Sequence, residues 1–258
     1  MNVPQPSPRV RTAIREAFLV AVLFLAYKIG RLAADGHVSD ALSNAQAIWS
    51  LERAVHLPSE AGVQHAIIHH MSLVRAANMY YAFVHFPATI AGLVWLYLRR
   101  PVYYTWTRRL LAWVTAAALV LHLLLPLAPP RMLLDIGMVD TGTLYGPSVY
   151  GSPDTDTLAN QFAAMPSLHV GWALAVAFGL ITATRSRWRW AWLAHPVITL
   201  FVVVATGNHY WLDAIVAGGL LTLVLAVLPR PVVVDRERQP AVVRRSGPLP
   251  PPEQRAGS

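Results

Sequence analysis

Two short runs in this 258-residue chain gather ionisable side chains at spacings that suit phosphate chemistry. One is Met165-Pro166-Ser167-Leu168-His169; the other is Gly207-Asn208-His209-Tyr210-Trp211-Leu212-Asp213. His209 and Asp213 are four residues apart, so a helix puts them on one face, where the carboxylate accepts a proton from one imidazole nitrogen. The other nitrogen keeps its lone pair and can attack phosphorus, with the N–H groups of a helix N-terminus beside it for phosphate oxygens. His169 exchanges protons near neutrality, which suits it to protonate a departing alkoxide and then to activate an acceptor. Taken alone, a His-x-x-x-Asp pair also serves as a structural hydrogen bond or a metal-ligand pair, and His169, His209 and Asp213 together fit a zinc site. The chain has no cysteine, which excludes disulfides, thiolate metal sites and a cysteine nucleophile.

The elements that must position these groups are greasy. Apolar residues make up 55% of the chain and charged residues 13%, with a mean hydropathy of +0.43, values that point to a bilayer as solvent. Apolar runs at about 17–34, 79–98, 110–127, 168–183, 188–205 and 210–228 predict six transmembrane helices and an all-α integral membrane protein. The unbroken apolar part of the first run, Ala17–Tyr27, is short, Lys28 follows it, and it also fits a signal-peptide core. With a cytoplasmic N-terminus, alternation puts Arg9, Arg11, Arg15, Arg99, Arg100, Arg108, Arg109, Arg185, Arg187, Arg189 and the arginines from Arg230 onward inside. Arg31, Arg53, Arg75 and Arg131 fall outside, the asymmetry that the positive-inside rule requires. Both reactive runs then lie at the outer rim of a plasma or inner membrane. The formal charge of +8 is spread between apolar runs and forms no single patch, which argues against nucleic acid as a partner.

Residues 1–16 and 229–258 read as cytoplasmic tails flanking one membrane domain over 17–228, without internal repeat. The mixed segment 36–78, with an amphipathic stretch at 39–56, predicts one or two interfacial helices capping the outer face. His65, His69 and His70 have helical spacing that fits either metal binding or a solvated face. His122 and His195 fall within spans and are expected to be hydrogen-bonded inside the bundle. Trp172, Trp188, Trp190, Trp192 and Trp211 suit interfacial belts. The outer stretch 131–161, with Asp135, Asp140, Tyr145 and Asn160, is long for a bare connector and suits the wall of an acceptor pocket.

Pro-Ser-x-His followed about forty residues later by His-x-x-x-Asp resembles the second and third signature motifs of the type 2 phosphatidic acid phosphatase superfamily. The resemblance covers roughly residues 79–228 and implies that His209 forms a phosphohistidine, Asp213 orients it, and His169 acts as general acid and then base, with no cofactor or metal. Leu168 stands where that family usually has glycine, Val202-Val203 where it has Ser-Arg, and the first signature has no recognisable counterpart. Its nearest substitute is Arg131, whose guanidinium suits a phosphate clamp; Ser167 and Asn208 complete the phosphate-binding set. These departures, with Asn78-Met79-Tyr80-Tyr81 leading to His85-Phe86-Pro87, resemble the branch containing inositol phosphorylceramide synthases, and imply substrate-proximal roles for Tyr81 and His85. A site short of cations suits a phosphodiester better than a dianionic monoester. The expected activity is transfer of a phospho-headgroup from an outer-leaflet lipid to an alcohol such as inositol. The alternatives are a phosphatase acting on phosphatidate or isoprenoid diphosphate, and a non-enzymatic transporter or binder of anionic lipid.

Overall fold

The computed structural model describes residues 18, 22, 25, 38–148 and 161–231. The first expected span, both tails and Asn160 lie wholly or largely outside the described residues. The described residues form helices, turns and a single isolated bridge, with no strand among them. In chain order the helices are α1 (Val38–Ala54), α2 (Glu60–Ile68), α3 (Met71–Met79), α4 (His85–Arg99), α5 (Pro101–Leu124), α6 (Thr141–Tyr145), α7 (Leu168–Ala183), α8 (Ala194–Ala205) and α9 (Trp211–Val227).

Among the described residues, three continuous helical stretches are long and apolar enough to cross a membrane: Met71–Arg99, Pro101–Leu124 and Arg187–Ala205. Leu168–Ala183 and Trp211–Val227 are apolar but shorter. Their outward faces carry Phe83, Ile90, Val94, Trp113, Val120, Phe201, Ile215 and Leu223, all exposed, as bilayer-facing surfaces do.

At the centre stands α7, packed by α4, α5, α8 and α9. Small residues make this crowding feasible: a Cβ on Gly179 of α7 would overlap the Thr107 side chain of α5, and one on Gly92 of α4 would press on Val176 of α7. The helix is buried nearly all round through Ala173, Ala175, Val176, Ala177 and Leu180. It begins one residue after its N-cap Ser167, so Pro166 precedes the cap and does not open the helix as its first residue.

The run from α3 to α4 is interrupted at Tyr80–Val84 by a π-helical turn. Pro87 gives the physical reason, because its ring has no N–H to offer and crowds the carbonyl four residues earlier, and a wider turn makes room. The consequence is functional: the turn re-aims Tyr81 and His85 toward α7.

Residues 36–78 yield three helices where one or two were expected. Gln64 of α2 bonds the carbonyls of Val139 and Ala205, and Asn78 of α3 bonds those of Thr141 and Gly146, so both helices are fastened to the end of the bundle where α8 stops. The stretch after Arg131 is not structureless: 3₁₀ turns at Pro130–Met132 and Leu134–Ile136 and the short α6, capped by Asp140, give it shape.

Candidate active site

Both reactive runs arrive at the same end of the bundle. The segment between α8 and α9 turns sharply at Gly207, whose φ of +70° favours glycine and whose missing Cβ leaves room for Arg131. Arg131 N–H donates to the Gly207 carbonyl at 3.0 Å, tying the arginine's backbone to the loop that carries His209. Opposite, the extended chain around Leu127 bonds Phe162 and Ala164 in both directions, which sets the carbonyl of Ala164 beside His209.

That carbonyl decides the state of the imidazole. His209 Nδ1 lies 2.9 Å from Ala164 O and 3.1 Å from Asp213 Oδ2. A carbonyl oxygen only accepts, so Nδ1 bears the proton and Nε2 holds the free lone pair. Asp213, fully buried in the first turn of α9, also accepts the Tyr210 N–H at 2.9 Å, which locks carboxylate, loop and ring into one unit. Burial, with the positive charge of Arg131 adding to it against the Ala164 hydrogen bond, lowers the His209 pKa to about 4. The ring is therefore neutral at physiological pH, the form a nucleophile needs.

The ring centroid of His169 lies 5.6 Å from that of His209. Tyr81 stacks on His169 at 4.7 Å, and His85 and Phe86 pack against it at 5.0 and 5.5 Å, so the ring is fenced into one orientation. The structure thus sets Tyr81 and His85 against His169. His85 also reaches Thr199, which with Tyr80 and His195 forms a partly buried hydrogen-bonded group. His122 bonds the Pro166 carbonyl at 3.1 Å, and both in-span histidines are hydrogen-bonded as expected.

Arg131 is the only buried arginine or lysine among the described residues. Its Nε is 3.4 Å from Asp140, and it donates to Asn208 Oδ1, while Asn208 donates onward to Thr206 at 2.7 Å. Asn208 therefore aims the guanidinium. Ser167 is buried and its Oγ accepts the Val170 N–H, making it the cap that sets the start of α7 and hence the position of His169. One expectation is corrected here: at the N-terminus of α9 the Leu212 N–H is not open to phosphate, because Glu52 Oε1 of α1 accepts it at 2.7 Å. Among the described residues no three His, Asp or Glu side chains converge as metal ligands.

The model of the PAP2 superfamily matches residues 46–228. The chain belongs to the PAP2 superfamily. PAP2 proteins are typically phosphatases or phosphotransferases, and membership places this chain in lipid-phosphate chemistry of that general kind. The matched region takes in α1 from Gln46 onward, so the segment that carries Glu52 is part of the PAP2 domain. No curated protein and no solved structure matches the chain.

In this candidate site, sequence reasoning passed over Ala164 and Glu52 and gave Asp140 no partner. Ala164 acts through a backbone carbonyl, for which no side-chain signal exists. Asp140 was visible only within a stretch suited to the wall of an acceptor pocket, and Glu52 only as part of the amphipathic stretch 39–56 expected at the interface.

Two substitutions test this geometry. Asp213→Asn keeps an oxygen for the Tyr210 and His209 N–H groups, and Ala164 still holds the tautomer, so only the charge is lost. The expected result is a kcat lower by roughly 10- to 100-fold with KM nearly unchanged, well short of the ~10⁴-fold loss that follows a wrong tautomer. A loss of the larger size in steady-state kinetics would show that Ala164 does not hold the ring. Arg131→Lys cannot span Asp140 and Asn208 together and loses the planar fork, so KM for a phosphate-bearing lipid should rise about tenfold while kcat moves less. Unchanged KM and kcat would place the phosphate clamp elsewhere.

Proposed function

We propose that this protein transfers a phospho-headgroup from a membrane lipid to an alcohol through a phosphohistidine on His209. Carrying this reading is the His209 ring itself, held neutral with Nδ1–H committed to Ala164 and Asp213 and with Nε2 left as a nucleophile near His169 and Arg131. Nε2 attacks phosphorus, the P–O bond to the lipid alcohol breaks, and His169 supplies the proton that the departing alkoxide takes. An acceptor hydroxyl then gives its proton back to His169 as its oxygen attacks phosphorus and releases His209. Arg131 balances charge on the non-bridging oxygens, and positioning with electrostatic stabilisation is most of what phosphoryl transfer asks of a protein.

The preference for a diester donor is supported by the single buried guanidinium, which matches one negative charge better than two. In this reading six helices span the bilayer, α1 and α2 cap the outer face, and the lipid enters sideways from the outer leaflet of the plasma membrane. The positive-inside distribution of arginines supports that orientation. Purified protein in nanodiscs, given phosphate-labelled phospholipids with and without inositol or other alcohols, tests the activity. Label should move into a new lipid or an alcohol phosphate with the wild type and not with His209→Ala. Release of inorganic phosphate alone would make the protein a phosphatase, and absence of turnover across a broad panel would favour lipid binding or transport.

A further inference from the structure

Glu52 and Glu60 lie outside the mechanism above, yet both are fully buried. Glu52 reaches from α1 across 160 residues of chain to accept the Leu212 N–H, one residue before Asp213. Arg53 contacts Glu60 Oε2 at 3.2 Å and Glu52 Oε2 at 3.7 Å. Two buried carboxyls thus face one guanidinium. Glu52 Oε2 and Glu60 Oε1 are buried without a hydrogen-bond donor, and both carboxyls approach the same nitrogen, Arg53 Nη2. A single proton held between them removes both deficits and the excess charge.

We propose that Glu52 is a positioning residue for the His209–Asp213 pair, acting as an uncharged carboxylic acid that anchors the first turn of α9 through Leu212 and is bridged by its own proton to Glu60. The proposal rests on the phosphate-transfer reading for its effect on turnover, but not for its effect on the helix. Asp213 sits one residue beyond the anchored amide, so a shift of that turn moves the carboxylate away from His209 Nδ1.

The groups facing the Glu52 carboxyl are Arg53 of α1, Glu60 of α2, Tyr210 at the head of α9 and Asp213 in its first turn. Arg131, on the turn that also packs on α1, directs its guanidinium to Asp140 and Asn208. Burial, the hydrogen bond with Glu60, and the negative charges of Glu60 and Asp213 raise the Glu52 pKa from 4.5 to about 9, against the lowering effect of the Leu212 N–H. The folded value is above the free one, so this group's contribution to stability is complete below 4.5 and is lost once pH has risen through about 9. Above that pH, repulsion from Glu60 and Asp213 pushes α1 from α9.

The test compares the full chain with Glu52→Gln and Glu52→Ala. Glutamine keeps an oxygen for Leu212 and an N–H for Glu60 but cannot ionise; alanine keeps neither. Backbone hydrogen exchange at neutral pH should be slow at residues 211–213 in the wild type and Gln variant and clearly faster in the Ala variant. Equal protection in all three, or loss of protection in the Gln variant, would overturn the proposal. In the lipid-transfer assay, kcat should fall about a hundredfold in the Ala variant, since a misplacement of 1 Å costs that much, and be restored by Gln. The wild type should lose kcat as pH rises through about 9, and Glu52→Gln should lack that limb. The same limb in the Gln variant overturns the proposal even where the Ala variant does not fold. If no variant turns over lipid, the exchange result alone decides, and the failure belongs to the phosphate-transfer reading.

Discussion

Replacing His209 with alanine is expected to lower kcat by at least ~10⁴-fold while leaving the helical content and the lipid affinity close to those of the wild type. The size follows from the ring's double task. In the proposed mechanism its Nε2 is the nucleophile, and its Nδ1–H is shared between Ala164 and Asp213, so no nearby group replaces it. Residual activity has to come from charge stabilisation by Arg131 and from bringing the reactants together. The measurement is a single-turnover reaction with phosphate-labelled lipid, stopped in alkali, where a phosphorus–nitrogen bond to histidine survives and phosphoserine does not. Labelled protein should appear with the wild type alone. The pH profile gives a second reading: because the His209 pKa is lowered from 6.5 to about 4, the nucleophile loses its lone pair only as pH falls through about 4, and kcat/KM should hold steady down to that region. Wild-type turnover in the alanine variant would sink the mechanism.

His169→Asn should cost ~10²- to 10⁴-fold, the range that a positioned general acid and base contributes. The loss should depend on the leaving group. A lipid alkoxide needs a proton as the P–O bond breaks, whereas a nitrophenolate leaves unaided. A nitrophenyl phosphodiester should therefore form the histidine adduct with the variant at nearly the wild-type rate, while the adduct is consumed slowly because the acceptor hydroxyl still lacks its base. The variant should thus accumulate labelled protein. An equal loss with both leaving groups would mean that His169 is structural, serving as the surface against which Tyr81, His85 and Phe86 pack.

Several features were legible from residue order because they depend on local spacing or on composition. The short separation of His209 and Asp213 was legible, but they do not share a helix face as expected: α9 begins at Trp211 behind its N-cap Tyr210, and the 3.1 Å contact forms because Asp213 in the first turn reaches back past the cap to His209. Apolar runs mark helices because backbone groups out of water have to pair within the segment, and the described elements Leu168–Ala183 and Trp211–Val227 lie where such runs do. The Pro-Ser-x-His and His-x-x-x-Asp motifs pointed to the superfamily that the match over residues 46–228 establishes.

Other features depend on partners far away in the chain. Nothing in the sequence around Ala164 says that its carbonyl meets a histidine 45 residues later, since every residue has such an oxygen and only the pairing of Leu127 with the segment before α7 aims this one. Glu52 lies on a stretch expected at the interface, and it is buried against Leu212 only because α1 packs on the N-terminus of α9, 160 residues away. Arg131 could be named as a cation on the correct side, but its aim required Asp140, Asn208 and the left-handed turn at Gly207 to converge. By itself, then, the sequence determined which chemical groups are present and which lie close along the chain, because those follow from short-range geometry. Tertiary structure alone decided the tautomer of His209, the orientation of the guanidinium and the burial of Glu52, because each depends on a hydrogen bond or charge contributed by a segment that only folding brings near.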